Sequence, residues 1–346
     1  MSDTDSIIPQ NKRERYSVLL RRIFGKKKKK MLPNKELESI VILGLERYGD
    51  SILTTPLIRI LRNRFPKANI YIVTPGRRAY SFFQLDKNIN WIFNIKKDFF
   101  STLFFFLKNP ADILFNPKDN ISFTFILLSR IIRTRHSVGL SFPFHDEHYN
   151  DVLNVPKSEH IIYKNCALLN YLQVSYSEND VIPYIPTTEI SEEIADFSEK
   201  LKGRKIIAIN ISAGSPVREQ RKERWQQIIA LLPYPVIVFA MPDRYKDKEW
   251  LESHANVLAS PPIRSFSESE YVLQQCALLI SPDTAMIHVA SAARVATVGL
   301  FLTNYDAERF APFHVPHSIL FGSESLEDIS SEAIVNAANK LLQPID

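Results

Sequence analysis

The feature that most constrains the fold is a rhythm of short apolar strands and helical stretches that runs along the chain twice. Residues 39–45, 69–73, 91–95, 112–115 and 137–139 read as strands, and 51–64 as a helix. A polar stretch at 181–188, marked by Pro183 and Pro186, reads as a linker. The rhythm then restarts, with strands at 205–211, 235–241, 278–281 and 295–301 and helices at 224–232, 268–275, 285–293 and 329–342. Strands separated by helices form parallel sheets covered on both faces. The expected fold class is therefore α/β, with two Rossmann-like domains facing a cleft, at 39–185 and 186–346, behind an extension at 1–38. A length of 346 residues suits two such domains.

Composition narrows the class further. Hydrophobic residues make up 45% of the chain and charged residues 23%, which excludes a disordered or collagen-like chain. Two cysteines, Cys166 and Cys276, supply neither a disulfide framework nor a thiolate zinc site, and suit a reducing compartment. No apolar run reaches the ~18–20 residues that cross a bilayer. The longest, at 99–107 and 121–128, suit buried helices or strands.

The formal charge of +5 is concentrated before residue 40. There Tyr16, Leu19, Leu20, Ile23 and Phe24 fall on one helical face, with Arg13, Arg15, Arg21 and Arg22 around it. Gly25 can end that helix, and lysines 26–30 follow. An apolar patch ahead of the basic run is the reverse of a secretory signal. The pattern suits adsorption of residues 13–30 on an anionic membrane surface, at about 1 kcal/mol per basic side chain. A solvated tail is the plainer alternative. No aromatic-interleaved basic patch elsewhere supports nucleic-acid binding.

Two motifs carry chemistry. Gly44 to Ser51, at the end of the first strand, imitates the spacing of a phosphate loop, but Asp50 stands where the lysine belongs. A carboxylate there repels β- and γ-phosphates, so a P-loop NTPase is excluded. What remains is an acid beside Gly49 at the carboxyl edge of a parallel sheet, where ligands bind; its plainer reading is a helix N-cap. The second motif runs from Leu279 through Asp283, Thr284 and His288 to Ala293, a strand entering a helix. A helix N-terminus there suits a diphosphate. The plainer readings are an ordinary cap for Asp283 and a core position for His288.

Together these segments resemble the glycosyltransferase family 9 heptosyltransferases, which add ADP-activated heptose to the inner core of lipopolysaccharide. Gly49-Asp50 with Pro56, Leu61 and Pro66 is similar to the family's N-terminal segment. Asp283-Thr284 with His288, Ala290, Ala292, Gly299 and Phe301 is similar to its donor segment, and Asn210 to Gly214 with Lys222, Arg224 and Trp225 is a third, weaker match. The resemblance covers roughly residues 39–340. Two departures stand out: Ala285 replaces a family glycine, and Glu223 sits where the family has lysine, between Lys222 and Arg224.

The resemblance implies a GT-B fold and an inverting, metal-independent transfer with no cofactor, ADP-heptose or another nucleotide-sugar being the co-substrate. Asp50 is the implied base, with Gly49 and Ser51 on the acceptor side. Ser212, Ala213, Asp283, Thr284, Ala285, Met286 and His288 line the donor side, with Lys222 or Arg224 meeting the diphosphate and Asp243 a weaker nucleoside contact. No paired-aspartate metal motif appears in the matched segments. His145-Asp146-Glu147-His148 reads as a loop rather than a metal site, and Arg130, Arg133 and Arg135 either meet acceptor phosphates or face solvent. The expected place of action is the cytoplasmic face of the inner membrane, on a lipid-linked saccharide. The alternatives are a different nucleotide-sugar donor or a non-catalytic glycolipid binder.

Overall fold

The computed structural model describes residues 12–29 and 36–343, which form two compact units, each built on one fully parallel sheet. The first unit takes the described residues as far as Arg47, then Leu57–Lys157 and Ile162–Tyr176. Its elements begin with α1 (Lys12–Phe24), β1 (Ser39–Leu43), α2 (Tyr48–Arg64), β2 (Asn69–Thr74), α3 (Arg77–Phe83) and β3 (Trp91–Asn94). They continue with α4 (Phe99–Lys108), β4 (Ala111–Asn116), α5 (Phe123–Ile131), β5 (Thr134–Leu140), β6 (Asp151–Leu153) and α6 (Ile161–Tyr171). Its strands lie in the order β3-β2-β1-β4-β5-β6.

The second unit takes Tyr48–Pro56, Ser158–Ile161 and the described residues from Ser177 onward. The units therefore interleave along the chain, and the first turns of α2 belong with the second sheet. That unit holds α7 (Glu192–Leu201), β7 (Ile207–Asn210), α8 (Lys222–Leu231), β8 (Val236–Phe239), α9 (Tyr245–Glu252) and α10 (Phe266–Leu273). β9 (Leu278–Pro282), α11 (Ala285–Ala293), β10 (Ala296–Phe301), α12 (Asn304–Phe310), β11 (His317–Phe321) and α13 (Ser331–Leu342) complete it, and its strand order is β11-β10-β9-β7-β8.

The central strands are near-continuous apolar runs because helices cover both faces. β1, β4, β7, β8 and β9 are buried at all or nearly all positions. Trp225 of α8 anchors the second core with Ile228, Leu278, Ile280 and Leu300. The stretch at 181–188 is not a loose linker. Val181, Ile182, Ile185 and Pro186 are buried, and Thr188 N donates to Ser267 Oγ, which in turn donates to the Pro186 carbonyl.

The N-terminal segment is a helix ended by Gly25 at φ 70°, as its periodicity predicts. It is not a free arm, however. Leu20 is buried among Ile121, Ile126 and Phe144, and Ser17 Oγ is 2.8 Å from His148 Nε2. Arg21 pairs with Glu147, and Asn150 Nδ2 donates to the Lys28 carbonyl. The other parts of the 1–38 extension, residues 1–11 and 30–35, lie outside the described residues. His145 and His148 are thus packing residues beneath α1, and His145 Nδ1 lies 2.8 Å from the Leu140 carbonyl. Among the described residues no group of three His, Cys, Asp or Glu could hold a metal ion.

Burial, helped by Arg130, His145 and Arg21 nearby, pushes His148 down to about 4. The unfolded chain therefore binds a proton below about pH 6.5 that the folded chain refuses until about pH 4. Stability carried by the neutral ring is whole above about pH 6.5 and erodes as pH falls toward 4, by about 3 kcal/mol at most. His148→Gln should narrow the difference in Tm between about pH 7.5 and about pH 5, measured by thermal unfolding. An unchanged difference would deny His148 that role.

The three arginines near α5 serve the fold. Arg130 Nη2 donates to the Phe24 and Gly25 carbonyls, closing the end of α1, and Arg133 Nη1 donates to Leu107 O at the end of α4. Cations at helix C-termini satisfy carbonyls and the helix dipole together. Arg135 pairs with Asp112 at 3.0 Å. The apolar run at 99–107 forms α4, but only one side of it is buried. Thr102 and Phe106 face the core, while Phe100, Phe104 and Leu107 are 82%, 58% and 55% exposed.

Candidate functional site

The second motif folds as a strand that ends in a capped helix. β9 is buried along its length to Pro282, after which the chain turns out and Thr284 takes the extended N-cap conformation of α11. Thr284 Oγ1 accepts from Met286 N at 3.3 Å. The cap is therefore Thr284 rather than Asp283. Asn210, at the end of β7, fixes this corner: its Nδ2 donates to Thr284 Oγ1, Ser281 Oγ and the Ser212 carbonyl. Residues 283–286 stay partly exposed, so the first turn of α11 presents backbone N–H groups and the positive end of its dipole outward.

A cation stands at this helix start, and it is one that sequence spacing does not reveal. Arg218, in the loop after β7, places Nη1 on both the carbonyl and the carboxylate of Asp283, and Nε on Ser215 Oγ at 3.1 Å. Its Nη2 is left over. A Cβ at Gly214 would lie 3.1 Å from Nη2, so the missing side chain keeps that edge of the guanidinium open. Asp283 thus positions a cation, and the negative charge it would bring to an anion site is balanced by Arg218.

The first motif reaches the same corner. Tyr48, Gly49 and Asp50 form the first turn of α2, with Arg47 at the N-cap, so Asp50 is a first-turn residue and not the cap. Tyr48 packs edge-on against Phe266 of α10 at 4.9 Å. Further along, Thr54 Oγ1 donates to the Asp50 carbonyl, and Thr55 Oγ1 accepts from Tyr184 N. A Cβ on Gly49 would lie 3.1 Å from the His288 ring and 3.8 Å from the Ala285 Cα. Glycine lets the Asp50 turn rest on the start of α11 without displacing the His288 ring. Segments far apart in the sequence therefore meet, and the turn that carries Asp50 rests at the helix start where Arg218 holds Asp283.

His288 serves that contact from inside. It is 3% exposed, its Nδ1 has no partner among the described residues, and burial pushes it down to about 3, so the ring is neutral. Ser51 is fully buried, so its hydroxyl is not presented to an acceptor. Ser212 Oγ accepts from Met241 N at 2.7 Å, and the Ala213 that follows is partly exposed. Asp243 is exposed beyond β8. Lys222 and Arg224 are committed elsewhere: Lys222 Nζ lies 4.9 Å above the Trp250 ring, and Arg224 Nη2 donates to the Ile329 carbonyl at 2.5 Å. Glu223 is an exposed first-turn residue of α8, where a carboxylate suits the helix dipole.

A family model, glycosyltransferase family 9 (heptosyltransferase), matches residues 107–333. A glycosyl transferase family 9 structure from Veillonella parvula is 20% identical with a TM-score of 0.68, covering 89% of this chain and 98% of its own. The ADP-heptose LPS heptosyltransferase II of E. coli is 18% identical with a TM-score of 0.63, covering 88% and 98%. The E. coli heptosyltransferase WaaC, with ADP, is 14% identical with a TM-score of 0.63, covering 88% and 99%. At these identities the likeness is one of fold, the GT-B arrangement of two Rossmann-like units. No curated protein matches the chain by sequence.

Proposed function

The chain belongs to glycosyltransferase family 9, and from that premise we propose that it moves heptose from ADP-heptose to a lipid-linked saccharide of the lipopolysaccharide core. The observation that carries this reading is the packing of the Gly49-Asp50 turn on the α11 N-terminus beside Arg218. It brings the turn that carries Asp50, a helix N-terminus and a cation to one corner.

In the proposed reaction the Asp50 carboxylate takes the proton of an acceptor hydroxyl as its oxygen attacks the anomeric carbon. Attack comes from the face opposite the nucleoside diphosphate, so the C–O bond to the diphosphate breaks as the new glycosidic bond forms, with inversion. The negative charge that gathers on the leaving group meets the N–H groups of Thr284 and Ala285 and the open edge of Arg218. Fixed donors of this kind supply the charge stabilisation a metal would otherwise give. Thr284 and Asn210 hold the donors in place, His288 supports the turn that carries the base, and Ser212, Ala213 and Asp243 edge the nucleoside side.

The acceptor is lipid-linked, and the four arginines and five lysines at 13–30 suit an anionic membrane surface at the cytoplasmic side. Because α1 is docked through Leu20 and Ser17, this role falls to its outer face and the lysines that follow. A panel of nucleotide-sugars offered with a core-saccharide acceptor tests the donor reading, and ADP-heptose should be turned over in preference to uridine and guanosine diphosphate hexoses. Ala285 favours one competing outcome, since its methyl narrows the approach to the α11 start and suits a different donor. Turnover of a hexose donor alone would establish that alternative. Binding without turnover of any donor would leave a glycolipid-binding protein.

A further inference from the structure

α4 carries three large apolar side chains that stay exposed. Phe100, Phe104 and Leu107 stand at i, i+4 and i+7, which places them on one helical face, and they remain largely open to solvent. A monomer gains nothing by holding three large apolar side chains in water, and such a patch marks an interaction surface. α4 and α5 pack on the same face of the first sheet, through Phe106, Phe125 and Leu128 against Val41, Leu43 and Leu114. α1 lies along the other side of α5, with Tyr16 5.4 Å from Phe123. α1 and α4 each pack with α5 in apolar clusters of the first unit, and α1 adds exposed Leu19 and Ile23 at 46% and 65%.

The charges around the stripe select its occupant. Lys96 and Lys97 precede α4, Lys108 ends it with Nζ 4.3 Å above the Phe104 ring, and exposed Arg133 follows nearby. Across 96–108 Asp98 is the sole acid. Arg13, Arg15, Arg22, Lys26, Lys28 and Lys29 are exposed on and after α1. A second copy of the chain would bring this basic rim against itself about a two-fold axis, which is repulsive. An anionic lipid surface complements it, with apolar side chains entering the headgroup boundary and cations at its plane.

We propose that the α4 stripe is a lipid-inserting element, and that α1, α4 and α5 together form the face by which the enzyme sits on an anionic bilayer. This rests on the membrane reading above and relocates its apolar anchor from the N-terminal segment to the body of the first unit. Charge on α1 and its lysines draws the protein to the surface, and Phe100, Phe104 and Leu107 hold it there.

The test compares wild type, Phe100→Ser with Phe104→Ser, and a variant with Lys26, Lys28 and Lys29 all changed to Gln. Each is sedimented with vesicles of phosphatidylcholine containing phosphatidylglycerol, at low and high salt. Both aromatic sites are exposed, so the double variant should unfold at the wild-type temperature. It should lose at least about tenfold in vesicle partition, most plainly at high salt, where the electrostatic part is screened. The lysine variant should lose binding mainly at low salt. Wild-type partition by the double variant alongside loss in the lysine variant would overturn the α4 proposal and leave the membrane reading standing. No vesicle binding by any of the three would sink both. A wild-type dimer in sedimentation velocity that the double variant abolishes, without vesicle binding, would make the stripe a face between copies and equally overturn the proposal.

Discussion

Asp50→Asn is expected to lower sugar transfer by about 10²–10⁴-fold, the usual cost of losing a general base, while leaving donor affinity nearly unchanged. The amide keeps the size of the carboxylate and cannot take the proton of the attacking hydroxyl. Its neighbourhood makes the comparison clean. The turn is anchored by Tyr48 on Phe266, by Gly49 on His288 and Ala285, and by Thr55 on Tyr184. The variant should therefore keep the wild-type Tm, and the loss should appear in kcat. Calorimetric titration with ADP separates binding from chemistry. Transfer within about threefold of wild type would remove Asp50 from the role of base, since general-base loss costs at least about a hundredfold.

The parts of this architecture that are legible in sequence are those with a strong period. β1, β7, β8, β9 and β10 are largely apolar runs buried on both faces, and α13 has a clean amphipathic pattern. The edge strands β6 and β11 are not, because their residues are mostly half-buried. α4 misleads for a physical reason. A run of phenylalanines states how much apolar surface a helix has, but which face is covered depends on neighbours that periodicity does not contain. The segment at 181–188 misleads in the opposite direction: its prolines and threonines look like a linker, yet it is held by tertiary hydrogen bonds to Ser267.

The candidate site is legible as two motifs and not as one place. Gly49 gives the clue to their meeting, since a glycine before an acid signals close approach, but the ring it approaches, His288, belongs to the helix after β9. The family resemblance points to Lys222 or Arg224 as the diphosphate cation because they flank Glu223, where the family has lysine. In the folded chain α8 turns Lys222 toward Trp250 and Arg224 toward Ile329. Arg218 has no motif to announce it. Its link to Asp283 spans 65 residues and exists only once β7 and β9 lie side by side.

Arg218→Met is expected to weaken ADP binding by about 10- to 100-fold, the worth of a charge-assisted hydrogen bond or two. Because charge builds further on the diphosphate as the sugar leaves, kcat should fall as well, by about 10²–10³-fold, as for loss of a preorganised anion donor. Methionine keeps most of the stem, so the loss reports on the guanidinium. A purely structural account makes a different forecast. If Arg218 served only to anchor Asp283, then Asp283→Asn would do the same damage, and adenosine, which has no phosphates, would lose affinity in step with ADP. If Arg218 meets the diphosphate, Asp283→Asn should cost less than Arg218→Met, because it loosens the clamp but keeps the cation, and adenosine binding should be indifferent to both changes. Equal ADP affinity in wild type and Arg218→Met would move the diphosphate away from this corner, and with it the role of the α11 N-terminus.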